Sequence, residues 1–243
     1  MRTLLLFISL GALALSAADS PLAGASVNGA IEADVAPGWP LLVRATLVHP
    51  QFSDESADPI SIAKDAIRIE VRNAAGEVVS WPFETLPSEA AVVIDGKKSA
   101  TVRWTLAPEA AAALDRGNYT AVVRIEGADT DSTPVRIKLV SRTDQADSRL
   151  LLLNAAYAWW RGDVDGALNA TSTLLSQDPD NIGVLELRGD IQAEAGNNYA
   201  AYQNYDRAVT LAIRDANAAK EPPQILITKR NAAFTAAARD LPQ

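Results

Sequence analysis

The sequence predicts a two-part chain, an all-β sandwich followed by an all-α region of helical hairpins, and three observations carry that prediction. Between residues 27 and 141 apolar side chains recur at every second position, in runs separated by glycine- and proline-bearing turns. From 148 to 215 similar residues recur at an offset of 34. The 243 residues, 48% hydrophobic and 21% charged, suffice for two modest domains, each with its own core.

The chain opens on Met1-Arg2, then an apolar run from Leu4 to Leu15, then the small residues Ser16-Ala17-Ala18. This is the pattern of a secretory signal over residues 1–18, cleaved near Ala18. The run is too short to cross a bilayer, which takes about 20 apolar residues, and no later stretch reads as a membrane span. The mature chain is therefore expected to be exported, to a periplasm or the extracellular space. There is no cysteine, which rules out disulfides, thiolate metal sites, cysteine nucleophiles and a lipid-modified cysteine after the cleavage point. An exported chain without cysteine points to a bacterial source.

The alternating rows come next. Leu41, Val43, Ala45 and Leu47 form the first, and Ile67, Ile69 and Val71 the second, with Arg68, Glu70 and Arg72 facing the other way. Ala100, Val102, Trp104 and Leu106 follow, then Tyr119, Ala121, Val123 and Ile125, and last Val135, Ile137 and Leu139. A strand with one apolar face belongs to an antiparallel sheet that has one wet side. Pro37-Gly38, Ala75-Gly76, Asp95-Gly96 and the stretch from Gly127 to Pro134 supply the turns. Within this region, Leu114-Asp115-Arg116-Gly117-Asn118-Tyr119-Thr120-Ala121 resembles the tyrosine corner of immunoglobulin-like sandwiches. That resemblance implies that the Tyr119 hydroxyl bonds back to an upstream turn. Ala121 stands where antibody domains carry their second cysteine, so the likeness is to the general sandwich. The polar segment 141–147 reads as a hinge or as the start of the first helix.

In the helical region Gly162 maps to Gly196, Ala167 to Ala201, Leu151 to Leu185, Asp163 to Asn197 and Ala155 to Gly189. Small residues suit close helix crossings, and glycine suits the turn between helices. The period and these residue types resemble the tetratricopeptide repeat, a pair of antiparallel helices. Repeat one would run from Ser148 to Asn181 and repeat two from Ile182 to Asp215, with Tyr205 and Ala208 at the large and small sites. Asn154, Ala158, Arg188, Gln192 and Thr171 depart from the family's apolar preferences. Residues 223–239 have helical spacing at Leu226, Arg230, Ala233, Phe234 and Ala237, and fit a capping helix. Such arrays need about three units, so the cap, packing on the sandwich or self-association must complete the stack.

The formal net charge is −8, and both halves share the acidic excess, so no basic stripe is available for nucleic acid. The only histidine, His49, precedes Pro50 and reads as a turn or surface residue. One histidine supports neither a Ser–His nucleophile nor a histidine metal cluster. No phosphate loop, dinucleotide fingerprint or nucleophile elbow is present. Asp54, Glu55 and Asp58, then Asp129 and Asp131, then Asp163 and Asp165 cluster without the order of a calcium loop. The sequence thus predicts no enzyme, no cofactor and no metal.

A binding face is the better expectation. The tetratricopeptide resemblance implies a groove lined by Arg149, Leu152, Ala156 and Trp159 of one helix and Gly183, Glu186, Asp190 and Ala193 of the next, with Glu194 adjoining. Glu186, Asp190 and Glu194 fall four apart on one stripe. With an aromatic wall from Trp159 or Trp160, such a groove suits an extended protein segment bearing Lys or Arg. The bland alternative packs both tryptophans inward and leaves the carboxylates merely solvated. The competing reading is a carbohydrate- or surface-binding module led by the sandwich. Trp39 and Trp81, each before a proline near a turn, would be its exposed stacking residues, and Trp104 lies in an inward row.

Overall fold

The structure, a computed structural model, describes residues 21–51, 57–86, 91–96, 99–128, 131–141, 147–216 and 224–240. The expected signal segment and its cleavage point lie outside these residues, as do Asp54, Glu55 and Asp129. The chain divides into two compact units, one of strands and one of helices.

The β unit holds strands β1 (Leu22–Val27), β2 (Glu32–Val35), β3 (Leu41–Val48), β4 (Ile60–Ala63), β5 (Ile67–Asn73), β6 (Val78–Val79), β7 (Glu84–Thr85), β8 (Ala91–Ile94), β9 (Ala100–Leu106), β10 (Gly117–Ile125) and β11 (Val135–Leu139). One sheet has the order β1-β3-β9-β7, the other β2-β11-β10-β5-β6, and β4 with β8 makes a two-stranded ribbon. Every pairing is antiparallel except β2 with β11. The tight turn at Asn28-Gly29, with Asn28 at φ 49°, sends the chain from the first sheet to the second. The Asn28 Oδ1 accepts a hydrogen bond from the Leu42 N–H at 2.9 Å and ties that turn to β3.

The alternation read in the sequence sets the core. Leu41, Val43, Ala45 and Leu47 from one sheet and Val123, Val135 and Ile137 from the other are all buried. Arg44, Arg68, Arg124, Arg136 and Lys138 point to the wet sides. The Tyr119 hydroxyl donates to the Asp115 carbonyl at 2.8 Å, the bond that the tyrosine-corner resemblance implies. The strand order is that of such a sandwich, with β1-β3-β9-β7 on one side and β11-β10-β5 on the other.

The second unit contains α2 (Asp147–Trp160), α3 (Val164–Gln177), α4 (Ile182–Glu194), α5 (Asn198–Ala216) and α6 (Gln224–Arg239), and a one-turn helix α1 (Pro108–Ala112) precedes β10. The 34-residue offset is a geometric repeat. In the first hairpin the Gly162 N–H donates to Trp159 O and the Asp163 N–H to Ala158 O; in the second, Gly196 donates to Ala193 and Asn197 to Gln192. Gly162 and Gly196 have φ of 88° and 79°, a left-handed conformation that only glycine adopts without strain. Ala167 and Ala201 are fully buried where the helices of each hairpin cross. Asp163 caps α3 by accepting from the Gly166 N–H at 2.9 Å, and Asn181 caps α4 by accepting from Val184 at 3.1 Å. Each cap is worth about 1 kcal/mol.

Three polar departures from an apolar repeat, Arg188, Thr171 and Gln192, are satisfied by partners on neighbouring helices. Arg188 donates to the Leu168 carbonyl, Thr171 Oγ1 and Ser172 Oγ at 2.8, 3.0 and 2.7 Å, so its side chain bridges α4 to α3 beside the buried Thr171. Asn204 donates to Gln192 Oε1 at 2.7 Å across the second hairpin. The unit's core gathers Leu185, Ala201, Tyr205, Ala208, Val209 and Leu211 with Leu226 and Ala233 of α6. Helix α6 is thereby an integral layer. The offset does not equalise burial everywhere, since Leu151 is 40% exposed and its counterpart Leu185 is 1% exposed.

Candidate functional site

Helix α4 carries the predicted stripe, and its cap at Asn181 fixes where the stripe begins. Glu186 and Asp190 share a cation. The Lys229 ammonium of α6 lies 2.7 Å from Glu186 Oε1 and 2.8 Å from Asp190 Oδ1. The Tyr205 hydroxyl of α5 donates to Asp190 Oδ1 at 2.6 Å. Tyr205 reaches Asp190 because residue 189 has no side chain: a Cβ there would sit 2.5 Å from the Tyr205 ring. One cation shared between two anions leaves this cluster with a single negative charge.

The electrostatics follow from burial and neighbours. Burial of Lys229 lowers its pKa, and the charges and hydrogen bonds of Asp190 and Glu186 outweigh that, leaving it above its ordinary value. Tyr205 is driven far above the ordinary phenol range, first by burial, then by its hydrogen bond to Asp190 and by the Asp190 and Glu186 charges. Its hydroxyl stays a donor throughout the physiological range.

Lys229 of α6 thus draws Glu186 and Asp190 of the predicted stripe together. Glu194 is exposed at the last turn of α4, and Arg149 and Trp159 sit half-buried near opposite ends of α2. Helices α2 and α4 meet where a Cβ on Gly183 would come within 4.0 Å of Leu152, so two of the predicted groove positions do adjoin. Sequence reasoning missed Lys229 and Tyr205 as members of the cluster. A signal was present: Lys229 lies three residues after Leu226 and four before Ala233, on the stripe of α6 that faces the core.

The β unit holds a separate cleft. Trp81 and Phe83, just after β6, have ring centroids 6.0 Å apart, and Tyr119 packs edge-on against Trp81 at 4.9 Å. Cavities of about 600 and about 630 Å³ open beside this pair. Trp104 is buried as expected for an inward row, whereas Trp39, expected to be exposed, is 5% exposed. His49 is likewise no surface residue. It is buried, its Nδ1 accepting from the Gln51 N–H at 3.0 Å and its Nε2 donating to the Asp58 carbonyl at 3.2 Å. Among the described residues, no group of three or more His, Asp or Glu side chains is placed to hold a metal ion. No described helix is long and apolar enough to cross a membrane.

No family model and no curated protein sequence matches the chain. Among solved structures it is similar to the sporulation control protein Spo0M from Bacillus subtilis, at 9% identity over 57% of this chain and 55% of that one, with a TM-score of 0.30. It is similar to a family 123 glycoside hydrolase from Clostridium perfringens, at 9% identity over 76% of this chain and 36% of that one, with a TM-score of 0.32. Domains 4 and 5 of the S-layer protein SbsC match at 12% identity over 50% of this chain and 54% of that one, with a TM-score of 0.24. The chain thus spans about half, or less, of the length of these structures. At these TM-scores the likenesses carry no argument about function, which is read from the chain's own geometry.

Proposed function

We propose that the chain is an exported, non-enzymatic interaction protein of bacterial origin. Its helical unit, two tetratricopeptide-like hairpins closed by a capping helix, binds a segment of another protein. The observation that carries this reading is the hairpin turn repeated at an offset of 34, hydrogen bond for hydrogen bond, with small buried residues at matching crossings. Arrays of this kind stack helices side by side and offer one face of each hairpin's first helix as a continuous surface.

The chemistry of that face is visible in its internal occupant. The α4 carboxylates hold an ammonium within hydrogen-bonding distance, so the stripe is built for cations, and Glu194 extends it beyond Lys229. A partner segment bearing Lys or Arg would set its cation toward Glu194 and its apolar stem against Trp159 of α2, with Arg149 at the far end of that helix left for an acceptor group on the segment. The non-enzymatic part of the reading is supported by His49, whose ring nitrogens are both engaged by the backbone and cannot also serve a substrate. The carbohydrate-led alternative is narrowed to Trp81, because Trp39 and Trp104 are buried.

The test is a cross-linked pull-down from native envelope or culture fluid. The wild type is compared with a Trp159→Ala, Glu194→Lys variant, which leaves the Lys229 cluster intact. The reading expects one defined protein that the wild type captures, the variant releases and a soluble lysine-rich peptide displaces. Capture of the same set by both proteins, or of none, would sink it.

A further inference from the structure

We infer that the Trp81–Phe83 cleft of the β unit is a binding site for a neutral saccharide, separate from the helical face. Trp81 and Phe83 lie two residues apart in the segment that follows the edge strand β6. A hydrogen bond from the Phe83 N–H to the Trp81 carbonyl at 2.8 Å fixes that segment. Both rings line both neighbouring cavities, together with Arg68 and Ile69. The volumes fall within the range of about 300–1,000 Å³ typical of small-molecule sites.

The platform is rigid before any ligand arrives. Tyr119 packs against Trp81 with an interplanar angle of 61°, and the Tyr119 hydroxyl is itself tied to the Asp115 carbonyl. An aromatic face held from behind by an anchored neighbour loses little conformational freedom on binding, which favours affinity.

The charges around the platform select the ligand class. Arg124 lies 3.2 Å from Glu70 and 3.2 Å from Asp131, and Arg68 lies 3.4 Å from Glu126. These five side chains all line the cavity of about 600 Å³ beside Trp81. Glu70 is also bridged by Arg72 at 2.6 Å, so three guanidinium groups stand against three carboxylates and the cluster has no net charge with which to attract an anion. For the same reason it offers a cation no excess of carboxylates. A ligand that needs donors and acceptors together, carries no charge and has an apolar face fits all three constraints. A sugar ring is such a ligand, with hydroxyls around its edge and C–H bonds on its face. The rim side chains of Arg68 and Glu126 are 71% and 66% exposed, so they can swing to hydroxyls at little cost.

The test is an NMR titration of the full mature chain with maltotriose, cellotriose, xylotriose and triacetylchitotriose. The five tryptophan indole N–H signals are followed, and that of Trp81 is identified by its loss in Trp81→Phe. One trisaccharide is expected to move the Trp81 signal saturably at concentrations up to about 10 mM, with affinity reduced about tenfold in Trp81→Ala. Arg68→Ala, on the exposed rim, is expected to weaken binding severalfold with the melting temperature unchanged, which separates loss of the site from loss of the fold. Lys138→Ala, on β11, leaves affinity as it is. Absence of any shift at Trp81 across the panel overturns the assignment, as does binding that survives both Trp81→Ala and Arg68→Ala. Tighter binding of trigalacturonate than of every neutral sugar overturns the neutral class.

Discussion

Changing Lys229 to Met deletes one charge and keeps an apolar stem of similar length, which makes it the sharpest probe of the helical unit. The lost ammonium leaves Glu186 and Asp190, one helical turn apart on α4, without their shared cation. Breaking a fully buried ion pair costs about 3–5 kcal/mol, whereas an exposed pair contributes about 0–1 kcal/mol. With side chains 26%, 34% and 26% exposed, the cluster falls between these limits, at about 2 kcal/mol. For a unit of this size that is a fall in melting temperature of roughly 10 °C. Adding Asp190→Asn to Lys229→Met should recover part of the loss, because asparagine still accepts from Tyr205 and no longer repels Glu186. Urea denaturation of the full chain followed by helical circular dichroism measures both. A Lys229→Met change within about 0.5 kcal/mol of wild type, or a double variant no more stable than the single, would mean that the shared cation does not hold α6 to α4.

The same cluster sets an alkaline limit. Lys229 and Tyr205 both have folded-state pKa values above their ordinary ones. At high pH the folded state therefore binds more protons than the unfolded, and stability falls as pH rises. Their contribution is complete below about pH 10, where both unfolded groups are protonated, and is lost as pH climbs through the raised values. Melting curves of the wild type should drop above that point, and those of a Lys229→Met, Tyr205→Phe variant should drop less.

Gly189→Ala should destabilise by about 1–2 kcal/mol, because the clash with the Tyr205 ring outweighs the gain of about 1 kcal/mol in helix propensity; a stabilised variant in the same urea assay would contradict the packing. Tyr119→Phe removes the bond to the Asp115 carbonyl and should cost the β unit about 1 kcal/mol, read as a shift in its thermal midpoint. Asp180, hydrogen-bonded to Arg207 and Arg214, should titrate by NMR below the ordinary aspartate value. Its midpoint should return toward that value in the Arg207→Ala, Arg214→Ala variant.

The β rows were legible because burial on one face leaves a period of two that neighbouring residues cannot disguise. Strand β1 was not, since Ala23, Gly24, Ala25 and Ser26 carry little apolar contrast, and β6 and β7 are each two residues long. The hairpin turns were legible because left-handed backbone at Gly162 and Gly196 constrains residue type wherever it occurs. By contrast, Arg188 with Thr171 and Gln192 with Asn204 looked like departures because each residue is acceptable only through a partner 12 or 17 positions away. The candidate site divides the same way. Helical spacing placed Glu186 and Asp190 on one stripe, but their occupant comes from 43 and 39 residues further along, a distance that periodicity does not reach. Trp39 was misread because a proline beside a tryptophan marks a turn and says nothing of what covers the ring.

A photo-crosslinking residue at position 159, and in a second protein at position 138 on the wet face of β11, reports where a partner docks. On illumination in the native envelope or culture fluid, a discrete protein adduct that a lysine-rich peptide suppresses is expected from position 159, and none from position 138. No adduct from position 159, or the same adducts from both positions, would contradict the claim that the helical face is where this protein meets its partner.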